Sequence, residues 1–312
     1  MKKVLISAPY MLRADEIKKI IPELDKLKIH YDLAKVEERL EEDELVKIIC
    51  QYNAIICGDD RFTRKVYEVA KNLEIIVKWG TGIDSLNEDI AKEFGIKLVR
   101  TPGAFTDPVS DTSIAMILSF VRNLVPNDAI IKKGGWDKPQ GFCLSEKTIG
   151  LIGFGDIGQA VARKLQPFAA TILANDIKKI DQTIYSKLNV RSVSFDEILT
   201  SCDFISVHCD LNPTSHHILN TAAFQKMKRR PYIINTARGP MIEEGSLIDA
   251  LKSGQVAGAG LDVFEEEPLA IESPLRKMEN VILSSHNSNS SPACWGKVHM
   301  NSIRMLKAGL KL

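Results

Sequence analysis

The sequence predicts an α/β protein of two domains, each with a doubly wound parallel sheet. Three observations lead there. Short β-branched runs alternate with amphipathic stretches of about ten residues, the pattern of βαβ units on a parallel sheet. The alternation occurs twice, before and after a loop rich in Gly, Lys and Pro at Lys132 to Gln140. The second run opens on a glycine-rich turn, Gly153-Phe154-Gly155-Asp156-Ile157-Gly158. A chain of 312 residues has room for two domains at roughly 150 residues each.

In the first run, Val4-Leu5-Ile6-Ser7, Ala54-Ile55-Ile56-Cys57, Ile75-Ile76-Val77 and Lys97-Leu98-Val99 read as strands. Helical patterns cover Glu42 to Cys50, Thr63 to Lys71 and Asn87 to Phe94. A longer helix, Asp111 to Asn123, is apolar nearly all round, so it is expected to be buried between domains or subunits. The second run has strands at Thr148 to Ile152, Thr171 to Ala174, Phe204 to Val207, Tyr232 to Asn235, Gly258 to Val263 and Val281 to Leu283. Ser194-Phe195-Asp196-Glu197 has the form of a capping box, and Gly254 stands where a helix C-terminal glycine is expected after Leu247 to Lys252. A last helix, Lys297 to Leu310, is placed to pack back on the first domain.

Composition narrows the function classes. Lys and Arg number 41 against 40 Asp and Glu, a net charge of +1, so bulk neutralisation of nucleic acid is not expected. Aromatics at 6% give no stacking platform for single strands. The longest helical uncharged stretch, Thr112 to Val121, is about half of what a membrane span needs. Six cysteines without a C-x-x-C pair read as reduced thiols, and a cytoplasmic location is expected. No metal site is expected.

The glycine turn carries the most specific local signal. The strand Ile149-Gly150-Leu151-Ile152 runs into it and the helical pattern Gln159 to Leu165 runs out. A second strand then ends at Asp176, eighteen residues after Gly158. This is the dinucleotide fingerprint. Gly153 permits the tight turn, Gly155 lets backbone approach a pyrophosphate, and Gly158 lets helix and strand pack closely. The helix start at Asp156 and Ile157 offers amides and a positive dipole end to phosphate. Asp176 would accept from ribose hydroxyls and repel a 2′-phosphate, favouring NAD over NADP, although Lys178 and Lys179 follow it.

Three further segments follow strands: Asn235-Thr236-Ala237-Arg238-Gly239, Leu261-Asp262-Val263-Phe264-Glu265-Glu266-Glu267-Pro268, and Ser284-Ser285-His286-Asn287. Ligands of a doubly wound sheet bind at the carboxyl ends of its strands. Together with Gly80-Thr81-Gly82-Ile83-Asp84, Thr101-Pro102 and Val207-His208, these motifs resemble the D-isomer-specific 2-hydroxyacid dehydrogenases, in the branch of phosphoglycerate dehydrogenase and hydroxypyruvate or glyoxylate reductase. The match runs from Gly80 to His286 in order and spacing.

The resemblance implies two Rossmann-like domains with an active-site cleft between them: residues 1–100 plus 286–312 for substrate and 101–285 for NAD. It also implies a homodimer formed through the NAD domains. His286 would be the general acid in reduction and the base in oxidation, with Glu267 fixing the imidazole's orientation. Arg238 would bind the substrate carboxylate with its planar fork of donors. Lys78 would meet an anionic substrate tail, and the amides of Gly80, Thr81 and Gly82 would take further carboxylate oxygens. His208, Cys209, Thr236 and Ala237 would flank the cofactor, and Asp262 would accept from the nicotinamide carboxamide. Of the other histidines, His299 on the last helix is the one with reach toward the cleft, His216 and His217 read as loop residues, and His30 sits before a strand.

Departures from the family pattern bear on the substrate. Ser285 stands where Pro is usual, and the polar run Asn287 to Ser291 follows His286, which points to a hydrophilic tail. Cys57-Gly58 lies near the place of an arginine of the phosphate pocket, with Arg61 as a possible substitute. The leading expectation is a phosphoglycerate dehydrogenase-like enzyme on a small 2-hydroxy or 2-oxo acid. The alternatives are a glyoxylate or hydroxypyruvate reductase, a sibling acting on formate or phosphite, and, from another class, a binding protein resembling NAD-sensing co-repressors.

Overall fold

Every strand pair in the computed structural model, which describes residues 1–312, is parallel. The chain forms two compact units, Met1–Phe105 with Ser290–Leu312, and Thr106–Asn289.

The first unit begins with β1 (Lys3–Ile6), α1 (Pro9–Leu12), α2 (Ala14–Asp25), β2 (His30–Leu33), α3 (Glu42–Ile48) and β3 (Ala54–Cys57). It continues with α4 (Arg64–Val69), β4 (Ile75–Lys78), α5 (Glu88–Glu93) and β5 (Lys97–Val99). Its sheet has the order β2-β1-β3-β4-β5. The central strands β3 and β4 are buried throughout, which explains their uninterrupted apolar runs. On one side they pack Leu45, Ile49, Val66 and Tyr67 from the flanking helices.

The second unit begins with α6 (Thr106–Val121), α7 (Leu124–Lys132), β6 (Thr148–Ile152), α8 (Asp156–Leu165), β7 (Thr171–Asn175), α9 (Gln182–Lys187) and β8 (Val190–Ser192). Next come α10 (Phe195–Ser201), β9 (Phe204–Val207), α11 (Thr221–Lys226), β10 (Tyr232–Asn235), α12 (Glu244–Ser253), β11 (Gly258–Leu261) and β12 (Val281–Leu283). The strand order is β12-β11-β10-β9-β6-β7-β8. The order reverses at β6 and β9, so the loops after these two strands flank the switch point where dinucleotides bind. The chain then returns to the first unit as α13 (Pro292–Leu310), which packs on β3, β4 and α2.

The predicted caps form. Ser194 accepts from the Glu197 amide at 3.2 Å, and Gly254 ends α12 at φ +73°. Helix α6 starts at Thr106, five residues before the expected Asp111. Pro108 sits in its first turn, where a missing N–H costs no intrahelical bond. One face of α6 packs on α8 and β10, burying Ile114, Met116, Ile117 and Val121 in the core of its own unit. The elements β2, β8, α1, α2, α7, α9 and α11 are additions to the predicted set. His30, expected just before a strand, is the first residue of β2 and pairs with Lys3. The outer strand β2 is partly exposed along its length, so HYDL carries no apolar run.

Candidate active site

The turn after β6 is built around backbone proximity. Gly153 adopts φ +93°, and a Cβ there would lie 2.4 Å from the Cys209 amide nitrogen and 2.6 Å from the His208 carbonyl carbon. The loops on either side of the switch point therefore touch through this glycine. A Cβ on Gly158 would meet the Gly153 carbonyl oxygen at 2.3 Å, whereas one on Gly155 would meet nothing within 4 Å. Open space lies over Gly155, and no side chain caps α8. The first-turn positions Asp156, Ile157 and Gly158 thus form an uncapped helix N-terminus of the kind that takes a pyrophosphate.

Asp176 stands just past β7. Its Oδ2 accepts from Phe154 N at 2.7 Å and its Oδ1 from Lys178 N at 2.7 Å. These bonds aim the carboxylate across the mouth of the glycine turn. His208 is buried; its Nε2 lies 2.9 Å from Ser206 Oγ, while its Nδ1 has no partner. Burial pushes its pKa down to about 3, so the ring is neutral. Burial also pushes the Cys209 thiol up to about 11, leaving it protonated. Thr236 is buried, with Oγ1 2.9 Å from Ser113 Oγ on α6. An orphaned ring nitrogen, an open glycine and an uncapped helix on one side of the sheet fit a dinucleotide.

The candidate catalytic residues come from the loops after β10, β11 and β12. Asn235 shapes the first: its Oδ1 accepts from Ala237 N at 3.0 Å and its Nδ2 donates to Arg238 O at 2.9 Å. Arg238 is half-buried and donates from Nη1 to Ala237 O at 2.8 Å. A Cβ on Gly239 would stand 1.8 Å from Phe264 O. Only a glycine lets the Arg238 loop lie against the loop that carries Glu267.

His286 Nδ1 lies 2.8 Å from Glu267 Oε2. The other carboxylate oxygen, Oε1, accepts from Phe264 N at 3.0 Å, so Glu267 is itself anchored. His286 has φ +50°, a left-handed conformation costly for a residue with a Cβ and maintained only when surroundings impose it. Here Asp262 imposes it. The Asp262 carbonyl accepts from His286 N at 2.7 Å. Its carboxylate accepts from Asn287 N at 2.9 Å and Ser288 N at 3.0 Å.

Two expected site residues have protein partners within their own units. Asp262 is 1% exposed, and its two carboxylate oxygens accept from the turn after His286. Lys78 is 3% exposed, with Nζ 2.6 Å from both Gly58 O and Asp59 Oδ1. Its ammonium is taken up by these two partners inside its own unit.

The remaining expected residues are placed as follows. Gly80 takes φ +121° and accepts from Thr101 N at 2.9 Å. Thr81 Oγ1 donates to Thr101 O at 2.9 Å, and neither the Thr81 nor the Gly82 amide donates to another backbone group. Arg61 pairs with Glu41 at 3.1 Å. His299 is 1% exposed on α13 and accepts from Trp79 Nε1 at 2.7 Å. Sequence reasoning missed Asn235, Asp59 and the anchoring role of Asp262, because each acts through backbone or a partner whose proximity only the fold creates.

Comparisons with known proteins agree with this geometry. A family model described as D-isomer specific 2-hydroxyacid dehydrogenase, NAD binding domain, matches residues 114–288. A glyoxylate reductase of Thermofilum pendens is 36% identical over 307 residues, covering 95% of this chain and 91% of that protein. A hydroxypyruvate reductase of Thermotoga maritima is 36% identical over 280 residues, covering 88% and 90%. The crystal structure of a glyoxylate reductase from Paecilomyes thermophila superposes with a TM-score of 0.87 at 26% identity, covering 99% of this chain and 95% of that one. With its NAD-binding domain matched along the unit that holds the glycine turn and the His286–Glu267 pair, the chain belongs to the D-isomer specific 2-hydroxyacid dehydrogenase family.

Proposed function

We propose that this NAD-dependent 2-hydroxyacid dehydrogenase acts on short 2-oxo acids with an uncharged tail, glyoxylate and hydroxypyruvate above all. The hydrogen-bonded pair of His286 and Glu267 carries the reading, because it supplies the proton that reduction of a ketone or aldehyde requires. Relatives named glyoxylate and hydroxypyruvate reductases support the substrate class. The phosphoglycerate expectation ranks second, since Lys78 is buried against Asp59.

Bound NADH supplies a hydride to C2 of the 2-oxo acid, and NAD+ accepts it in the reverse direction. Glycine-turn amides from Gly155 to Gly158 would hold the pyrophosphate, and Asp176 the adenosine ribose. His286 gives a proton to the substrate oxygen as it becomes a hydroxyl; in oxidation the neutral imidazole takes that proton back. Glu267 holds Nδ1, so the other ring nitrogen is the one that exchanges the proton. Arg238 would bind the substrate carboxylate bidentately. In the first unit, the Gly80, Thr81 and Gly82 amides, turned by the positive φ of Gly80, are proposed anion donors.

Initial rates of NADH oxidation with glyoxylate, hydroxypyruvate, 3-phosphohydroxypyruvate and 2-oxoglutarate test this. The first two should be turned over best; preference for either of the others would overturn the substrate class, and turnover of none would favour a binding protein. A homodimer through the second unit is part of the proposal. Leu124, Val125 and Ile131 on α7, and Trp136 and Phe142 beyond it, are exposed apolar side chains on one connected segment. Sedimentation should give twice the monomer mass, and a monomer would refute it. The cytoplasm is the proposed compartment, where six free cysteines stay reduced.

A further inference from the structure

In the second unit, the loop after β9 ties two of the catalytic loops together. His217 N donates to Pro240 O at 2.8 Å, Leu219 N to Met241 O at 3.1 Å, and Glu243 N to Leu219 O at 3.0 Å. Leu219 also bridges Ile242 in parallel register. His217 to Leu219 therefore runs alongside Pro240 to Glu243, the segment that follows Arg238 and Gly239. The side chain of His217 reaches a different loop, the one after β11, where its Nε2 hydrogen-bonds Glu265 Oε1. A carboxylate accepts and does not donate, so Nε2 is the donor. The second Glu265 oxygen, Oε2, accepts from Glu244 N at 3.1 Å, at the start of α12, where a carboxylate also meets the positive end of the helix dipole. Glu265 stands two residues before Glu267, and its neighbour Phe264 donates its N–H to Glu267 Oε1 at 3.0 Å. His217 thus bridges the segment that follows Arg238 and the segment that carries Glu267.

Two features set this bridge apart from a chance surface pair. His217 holds φ +50°, a left-handed conformation that surroundings must impose on a residue with a Cβ. The bridge also joins loops that already touch: a Cβ on Gly239 would stand 1.8 Å from Phe264 O. That contact limits how closely the loops approach, whereas a hydrogen bond limits their angle as well. The His217 and Glu265 side chains are each 33% exposed, and an ion pair with that much solvent access adds little to stability. Its effect is on geometry.

We propose that His217 and Glu265 are positioning residues for the dehydrogenase reaction: their hydrogen bond holds the Arg238 loop in register with the loop of Glu267, and so with the His286 that Glu267 orients. All of these residues lie in the second unit. The inference rests on the dehydrogenase reading and adds to it two residues that act through Arg238 and Glu267 rather than on the substrate.

The test measures the melting temperature, and kcat/KM at saturating NADH for the 2-oxo acid that the wild type turns over best, in the full-length protein and its variants. His217→Asn keeps a residue that tolerates the left-handed conformation but is too short to reach Glu265. His217→Gln keeps an N–H donor at about the reach of the imidazole Nε2. Glu265→Ala removes the acceptor from the other side. His217→Asn and Glu265→Ala should each lower kcat/KM about tenfold, below the roughly 10²-fold that a 1 Å misplacement costs. Their melting temperatures should stay within about 4 °C of the wild type. His217→Gln should stay within about threefold of the wild-type kcat/KM, and the double variant His217→Asn/Glu265→Ala should lose no more than the larger single loss. Unchanged kcat/KM in both single variants, equal losses in His217→Asn and His217→Gln, additive losses in the double variant, or losses that follow a fallen melting temperature would overturn the proposal. Each of these leaves wild-type turnover intact and defeats this inference alone. No turnover of any 2-oxo acid by the wild type defeats the dehydrogenase reading, and this inference with it.

Discussion

His286 and Glu267 lie 19 residues apart in sequence and 2.8 Å apart in space, Nδ1 to Oε2. The pair depends on two supports: Phe264 N holds the second Glu267 oxygen, and Asp262 holds the His286 backbone. Replacing Glu267 by Gln keeps the shape and removes the charge. We expect kcat to fall by about 10²-fold, within the range contributed by acid–base groups. NADH affinity, measured by fluorescence titration, should stay within about threefold. A loss confined to NADH binding would show that Glu267 serves the cofactor instead.

Asp262 is a positioning residue in this scheme. Asp262→Asn would turn a donor toward either Asn287 N or Ser288 N, both of which need an acceptor. The buried mismatch should cost about 1–3 kcal/mol in urea unfolding. Because the left-handed turn at His286 then loosens, kcat should fall while KM for the 2-oxo acid changes little. Unaltered stability would contradict the anchoring role.

Gly239→Ala tests how the two catalytic loops are brought together. Its Cβ would stand 1.8 Å from Phe264 O, a backbone atom with no flexible end to yield. Destabilisation of about 3 kcal/mol or failure to fold is expected, at the severe end of single substitutions. A melting temperature equal to that of the wild type would refute the close approach.

Buried histidines set the acid limb of stability. Burial pushes the His299 pKa down to about 4, with Glu16 opposing, and that of His208 down to about 3. Unfolded, each would titrate near 6.5, so below that pH the unfolded chain takes up protons that the folded chain refuses. Stability is complete above about pH 6.5 and falls as pH drops, by about 2 kcal/mol per histidine at pH 5. His299→Gln keeps an acceptor for Trp79 and should remove about half of the loss between pH 7 and pH 5 in urea unfolding. An equal loss in the variant and the wild type would contradict this account.

Much of the architecture was legible because it rests on local patterns. The runs AIIC at β3 and TIGLI at β6 are apolar because both faces of those strands are covered, and their limits are those the pattern gives. The edge strand β2 escaped because a strand exposed along much of its length needs no apolar run. The glycine turn was legible through its setting between strand and helix. What stayed hidden depends on register and distance. The Lys78–Asp59 pair exists because β3 and β4 align Cys57 with Lys78. The Trp79–His299 bond joins residues 220 positions apart. Asp262 could be picked out as polar beside a strand end, but whether it would face a ligand or the turn after His286 is decided by the path of that turn.

The central claim is that His286 exchanges the proton in a hydride-transfer reaction. Its most direct test is the steady-state rate of NADH oxidation with hydroxypyruvate by His286→Ala, beside the wild type and with NADH binding followed by fluorescence on the same samples. The account predicts turnover in the wild type, and in the variant unimpaired NADH binding with a rate lower by about 10²-fold or more. A variant that oxidises NADH at the wild-type rate would contradict it.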